Sequence, residues 1–298
     1  MHNDHSPALA RLGTGPLALS QPSNGSDWLV WANARAEHVL ADKSEDGILA
    51  VDAMQAYHDD RLRPYDLAGG IAVITVSGLL LKNYRWIGDS WATGYNQIRM
   101  QVEIALDDEA VSSIVLLIDS GGGFVDGLFD LTAWLRQARA AKPIYAIVDS
   151  CACSAAYAIA STATSVSASA HSMVGSIGVL MVHWDFSKML TEWGLTPTLL
   201  FSGEHKIDGN PFQPLPDDVR DAFQADLAEM REFFADDVAA GRGENLEASA
   251  AMATEARVYG TPSQIKEALS TGLIDAVLTP DEAFQALVDH QTAAGGTT

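Results

Sequence analysis

Cysteine is nearly absent from this chain of 298 residues, which carries only Cys151 and Cys153. One residue separates the two, which argues against a structural disulfide between them, and two ligands do not make a zinc site. We therefore expect both cysteines to be small core residues, because free cysteine is commonly buried.

Basic residues and long apolar runs are also scarce. There are 18 lysines and arginines against 39 acidic residues, a net charge of −21. This balance disfavours nucleic acid and anionic membranes as partners. No stretch approaches 18 consecutive apolar residues, so we expect no membrane span. The N-terminus lacks a basic region followed by a long apolar run, so we expect no signal peptide and a cytoplasmic location.

The middle of the chain alternates apolar runs with helical patterns, which is typical of an α/β fold with a largely parallel sheet flanked by helices. We expect an N-terminal arm at residues 1–68, partly disordered, one catalytic unit at 69–280, and a short C-terminal helix with a loose tail at 281–298. The predicted elements are strands at 69–81, 112–120, 143–150 and 196–203, and helices at 91–108, 128–142, 154–163, 186–194 and 216–241.

Three glycines, Gly121, Gly122 and Gly123, follow the second predicted strand. Glycine lets another group approach the backbone N–H closely, so such a segment can bind a phosphate or the oxyanion formed when a carbonyl is attacked. The spacing is not that of a dinucleotide loop, since position 126 is aspartate, and no Gly-Lys-Ser/Thr follows for a P-loop. A plain tight turn is the structural alternative.

Ser154 follows the third predicted strand and precedes an Ala-rich helix. This position exposes a hydroxyl at the carboxyl edge of the sheet, where the active sites of open α/β sheets lie. The surrounding sequence is not the Gly-x-Ser-x-Gly elbow of α/β hydrolases. From the sequence alone, Ser154 is either a nucleophile or a helix N-cap.

A nucleophilic serine needs a base, and none of the eight histidines lies in a recognisable triad context. Lys206 is the candidate, just after the predicted strand at 196–203. A lysine acts as a base only if its pKa falls from about 10.4 to about 7–8, which burial favours. The alternative is a solvated loop lysine.

Four segments in order give the chain, from about residue 69 to 278, a resemblance to the signal peptide peptidase A (SppA) family of serine peptidases with a ClpP/crotonase-like fold. These segments are "LLIDSGGGFVDG", "ACSAAYAIAS", "VGSIGVLMVHWDFSKMLTEWGL" and "FSGEHKIDGNPFQPLPDDVR". The resemblance implies a Ser-Lys dyad of Ser154 and Lys206 and a lysine-orienting Ser176. It also implies an oxyanion site at Gly121–Gly123 and Ala155, although the proline usual in that loop is absent.

Within this family the resemblance is strongest to the phage capsid-assembly or prohead proteases. It implies a serine endopeptidase that uses no metal and no cofactor. The expected substrates are scaffold, capsid or leader peptides and the protease itself, and a ring-shaped homo-oligomer is expected in the host cytoplasm or the assembling prohead. The alternatives are a soluble bacterial SppA-like peptidase that degrades signal or other peptides, a crotonase-type enzyme acting on coenzyme A thioesters, and a non-enzymatic scaffold or assembly factor.

Overall fold

The structure is a computed structural model that describes residues 63–87 and 91–295, together with two short strands nearer the N-terminus. Apart from those two strands, the predictions for the N-terminal arm before residue 63 lie outside the described residues. The strands are β1 (Leu17–Leu19), β2 (Ile48–Leu49), β3 (Asp66–Ala68), β4 (Ile71–Leu81), β5 (Trp86–Ile87), β6 (Ala92–Gly94), β7 (Ser113–Phe124), β8 (Ile144–Cys153), β9 (Ser165–Ala168), β10 (Met173–Gly175), β11 (Val258–Tyr259) and β12 (Ala276–Val277).

One mixed sheet organises the described residues, and its central order is β11-β10-β8-β7-β4-β3. The inner strands β4, β7, β8 and β10 are parallel to one another, and the edge strands β3 and β11 are antiparallel to their neighbours. The three longest strands are nearly continuous apolar runs because helices cover both faces of a parallel sheet.

Helices pack against both faces of this sheet. The larger core lies under the side covered by α1, α2, α3 and α5, with Ile98, Leu135, Tyr157 and Phe234 in it. A second core on the opposite face joins Ile71, Val115 and Ile147 to the C-terminal helix α8. The helices are α1 (Tyr95–Asp107), α2 (Leu128–Ala138), α3 (Ala155–Ser161), α4 (Ser187–Glu192), α5 (Asp217–Arg242), α6 (Ala248–Ala253), α7 (Pro262–Ser270) and α8 (Pro280–Gly295). The predicted α/β fold, with a largely parallel sheet flanked by helices, is confirmed.

The predicted strand at 196–203 is wrong. These residues form neither strand nor helix, and Leu200 and Phe201 are 93% and 52% exposed. Strand propensity alone does not make a strand, because the backbone also needs a neighbouring strand to pair with. No such pairing exists for this segment in the part of the chain that the structure describes.

Candidate active site

The parallel pairing of β7 with β8 brings the glycine segment beside Ser154. The last paired residues are Ser120 and Ala152, at the carboxyl end of both strands. Beyond this point β8 continues only to Cys153, and α3 begins at Ala155. Two residues after Ser120, β7 reaches Gly122, and two residues after Ala152 the chain reaches Ser154. The structure therefore brings the predicted glycines and the predicted nucleophile to the same edge of the sheet.

The three glycines lie in β7 itself, which runs through to Phe124. A side chain at Gly123 would place its Cβ 2.0 Å from the carbonyl oxygen of Leu80 on β4, so only glycine allows this close approach. Gly122 has a φ of 116°, which also favours glycine. Helix α2 starts only at Leu128, so the glycines do not form a helix N-terminus and the phosphate-binding alternative loses its main support.

Ser120, which the sequence patterns do not single out as a site residue, fixes this segment. Its hydroxyl donates a hydrogen bond of 2.6 Å to the Gly78 carbonyl on β4 and accepts one of 3.1 Å from the N–H of Gly122. Its only signal in the sequence is its place between an apolar strand and the glycines. Ser120 ties the start of the glycine segment to the neighbouring strand.

Ser154 has an unusual backbone conformation. Its φ is 56° and its ψ is −123°, a region that non-glycine residues rarely occupy and that costs about 1–3 kcal/mol. Two hydrogen bonds hold it there: its N–H donates to the Gly175 carbonyl at 2.8 Å, and its own carbonyl accepts from Ala158 at 2.9 Å. Such strained residues cluster at functional sites.

The N-cap alternative for Ser154 finds no support in the hydrogen bonds. Its side chain caps none of the N–H groups of α3 and lies 3.5 Å from the Gly178 carbonyl. The first N–H groups of a helix have no intrahelical acceptor, so the N–H of Ala155 has none within α3. Ser154 and Ala155 are both fully buried.

Ser176 lies close to the same edge. The residue before it, Gly175, pairs with Cys153 in the parallel ladder of β10 and β8. Ser176 also has a φ of 56°, and its N–H donates to the Arg257 carbonyl at 2.9 Å. It is buried, with 6% exposure. The structure thus brings Ser176 near the Ser154 turn, through Gly175.

Lys206 is not joined to this group. It lies in a 3-10 turn at Glu204–Ile207 and is exposed. Within residues 63–87 and 91–295, no hydrogen bond or ion pair links its ammonium group to Ser154 or Ser176. The predicted serine, glycines and Ala155 come together in this chain, whereas the predicted base remains on the surface.

The residue before Lys206 has a perturbed titration. His205 Nδ1 lies 2.9 Å from Asp208 Oδ2. The hydrogen bond and the charge of Asp208, with a smaller contribution from Glu204, raise the pKa of the His205 imidazole above its ordinary value. His205 therefore carries more positive charge near neutral pH than an isolated imidazole, in the same 3-10 turn that holds Lys206.

A sequence model of peptidase family S49 matches residues 136–294, more than half of the chain. This chain belongs to peptidase family S49. The resemblance to the SppA family, predicted from four motifs, is thereby confirmed.

Phage proteins are among the relatives of this S49 chain. It is 37% identical to the capsid assembly protease C of Escherichia phage lambda over 76% of this chain and 51% of that protein. It is also 37% identical to the head-tail preconnector protein GP5 of Enterobacteria phage P21, over 72% of this chain and 42% of that protein. A putative protease of Methanocaldococcus jannaschii is 27% identical over 60% of this chain and 56% of that protein. The chain spans about half the length of these curated relatives.

The S49 chain exposes an unusual set of apolar side chains around Lys206, between residues 186 and 212. Trp193 is 66% exposed, and no residue between 186 and 212 is buried. Contiguous exposed apolar surface commonly marks a site that another surface covers. The exposed members are Phe186, Met189, Trp193, Leu195, Leu200, Phe201 and Phe212.

Two observations on the described residues of this S49 chain concern metal binding and membrane insertion. No group of three or more histidine, cysteine, aspartate or glutamate side chains is placed there to hold a metal ion. Of the helices in the described ranges, none combines the length and the apolar character needed to cross a membrane.

Proposed function

We propose that this chain is a serine endopeptidase in which Ser154 is the nucleophile. The observation that carries the proposal is the strained, fully buried Ser154 beside a strand of three glycines, in a chain of peptidase family S49. Ser154 attacks the substrate carbonyl. The N–H groups of Ala155 and of the Gly121–Gly123 segment donate to the oxyanion, an interaction of the kind that mutagenesis values at about 3–4 kcal/mol per donor.

Lys206 takes the hydroxyl proton of Ser154 and later protonates the leaving amine. A lysine does this only when it is shielded from water. The apolar segment at 186–212 supports an arrangement in which a second copy of the chain covers Lys206, because its exposed side chains need a partner surface. We therefore propose a ring-shaped homo-oligomer, with Ser176 orienting the lysine once the site is assembled.

The phage relatives suggest the biological role. Two of them are named for capsid assembly and for head-tail connection. We propose that this chain cleaves scaffold and capsid proteins, and itself, in the host cytoplasm or inside the assembling prohead. Its net charge of −21 supports protein rather than nucleic acid as the substrate.

The test compares the parent with Ser154→Ala and Lys206→Ala, using casein as an unfolded substrate and intact mass to follow fragments. The matched control is Lys188→Ala, which removes another exposed lysine of the same segment. We expect cleavage by the parent and by Lys188→Ala, and a loss of at least 1,000-fold in both dyad variants. Equal cleavage by all four proteins would remove the dyad from the mechanism, and no cleavage by any of them would favour a non-enzymatic assembly factor.

A further inference from the structure

Strand β8 leaves one edge of β7 next to Ser154. One edge of its final residues pairs with β4, through Leu79 with Gly122 and Leu80 with Gly123. The other edge pairs with β8 only as far as Ser120. Past that point β8 turns away into α3 at Ser154. This leaves a gap one strand wide in the sheet, bounded by the glycine segment on one side and adjoining the nucleophile.

Strand β1 fills this gap. It pairs antiparallel with the end of β7, with Leu17 opposite Phe124, Ala18 opposite Gly123 and Leu19 opposite Gly122. Because β4 already occupies one edge of β7 at these glycines, β1 must lie on the edge that β8 has left. An extended peptide added to a sheet edge in this way is a recurrent mode of peptide binding.

The direction of β1 brings its C-terminal end to the nucleophile. An antiparallel strand that starts opposite Phe124 and ends opposite Gly122 runs towards Ser120 and therefore towards Ser154. Ala18 and Leu19 lie opposite Gly123 and Gly122, two of the glycines proposed to hold the oxyanion, and Leu19 is the residue of β1 nearest in register to Ser120. The full burial of Ser154 is consistent with a site that is already covered.

We propose that this chain holds its own segment Leu17–Leu19 as a substrate and cleaves the peptide bond that follows Leu19. The inference rests on the proposed peptidase function and names one substrate of that site. Ser154 Oγ bonds to the carbonyl carbon of Leu19, and its proton passes through Lys206 to the amine of Ser20 as the C–N bond breaks. Water then hydrolyses the ester: its hydroxyl goes to Leu19, and its proton restores the Ser154 hydroxyl.

The experiment follows the full-length protein by intact mass during incubation, with casein added in parallel. The parent is expected to release residues 1–19, and Ser154→Ala is expected to stay intact, both alone and when it is mixed with the parent. Leu19→Asp puts a charged residue directly before the bond proposed to be cut and is expected to slow this release more than tenfold, while casein is still cleaved. Leu12→Asp is the matched control, because the same change lies outside β1, and it is expected to behave as the parent.

The results separate the two proposals. If casein is cleaved while the N-terminus stays intact, or is cut elsewhere, the assignment of β1 is wrong and the peptidase stands. If neither casein nor the chain itself is cleaved, the peptidase function fails together with the assignment. Cleavage of Ser154→Ala by the parent in the mixture would also overturn the assignment, because the segment would then enter the site of another copy.

Discussion

The backbone strain at Ser154 can be measured as the effect of a glycine at this position on the free energy of unfolding. Glycine adopts positive φ freely, whereas alanine at this position keeps the unfavourable conformation of φ 56° and ψ −123°. We compare Ser154→Ala with Ser154→Gly, so that the hydroxyl is absent from both. The control is the double variant Ser154→Ala, Ala158→Gly, in which the glycine lies within α3. Both positions are fully buried, and all the variants lack the proposed nucleophile.

The magnitude follows from the difference between the two positions. Each alanine-to-glycine change removes one buried methyl group, worth about 0.8 kcal/mol, and increases the entropy of the unfolded chain by about 0.4–1 kcal/mol. These costs are common to both positions. Only residue 154 gains from relief of strain, by about 1–3 kcal/mol. Glycine at 154 is therefore expected to be about 1–3 kcal/mol more favourable than glycine at 158.

Urea unfolding followed by circular dichroism, at one fixed protein concentration, gives the free energies of unfolding. The concentration is fixed because an oligomer would make stability depend on it. Glycine substitutions that cost the same at 154 and at 158 would refute the argument that Ser154 is held under strain. Its assignment as the nucleophile would then lose the observation on which it mainly rests.

Two further predictions concern ion pairs that support the fold. Arg242, whose side chain is 1% exposed, donates to both carboxylate oxygens of Asp275 at 2.9 and 2.7 Å. Asp275→Ala leaves this buried charge without its partner and should lower the free energy of unfolding by about 3–5 kcal/mol. An unchanged midpoint of urea unfolding would contradict this. The hydrogen bond from Arg63 is the main cause that lowers the pKa of Asp108 below its ordinary value. That pair stabilises the fold fully only above the unfolded pKa of about 3.9. The difference in free energy of unfolding between the parent and Asp108→Asn should therefore shrink as pH falls from 5 to 2. A difference that does not change with pH would contradict this.

The central strands could be predicted from the sequence because both of their faces are buried, which makes each a run of apolar residues. The end of β7 could not. The apolar pattern stops at Asp119, and the glycines that follow are typical of a turn, yet the strand continues to Phe124. It continues because Gly123 fits against the carbonyl of Leu80, a contact between distant parts of the chain that no local pattern contains.

The site residues also divide into those that the sequence predicts and those whose conformation depends on distant parts of the chain. The four family motifs select Ser154 and the glycines, but the strained backbone of Ser154 depends on the Gly175 carbonyl, which a different strand supplies. The strand predicted before Lys206 was inferred from residue types alone and has no neighbouring strand to pair with in the described chain. Its apolar residues Leu200 and Phe201 have the composition of a strand, yet the described chain provides no core that buries them.

The gap between β7 and the end of β8 has a consequence for the conformation that a target segment must adopt. Once β1 has left, a target would have to pair with the exposed edge of β7 through its backbone N–H and carbonyl groups, so a stretch still paired within its own fold could not enter. Susceptibility would then be governed by how often that stretch opens. Each 1.4 kcal/mol of local stability in the target should slow its cleavage about tenfold, so the same peptide sequence would survive in a finished shell and be cut in a protein that has not yet folded into place.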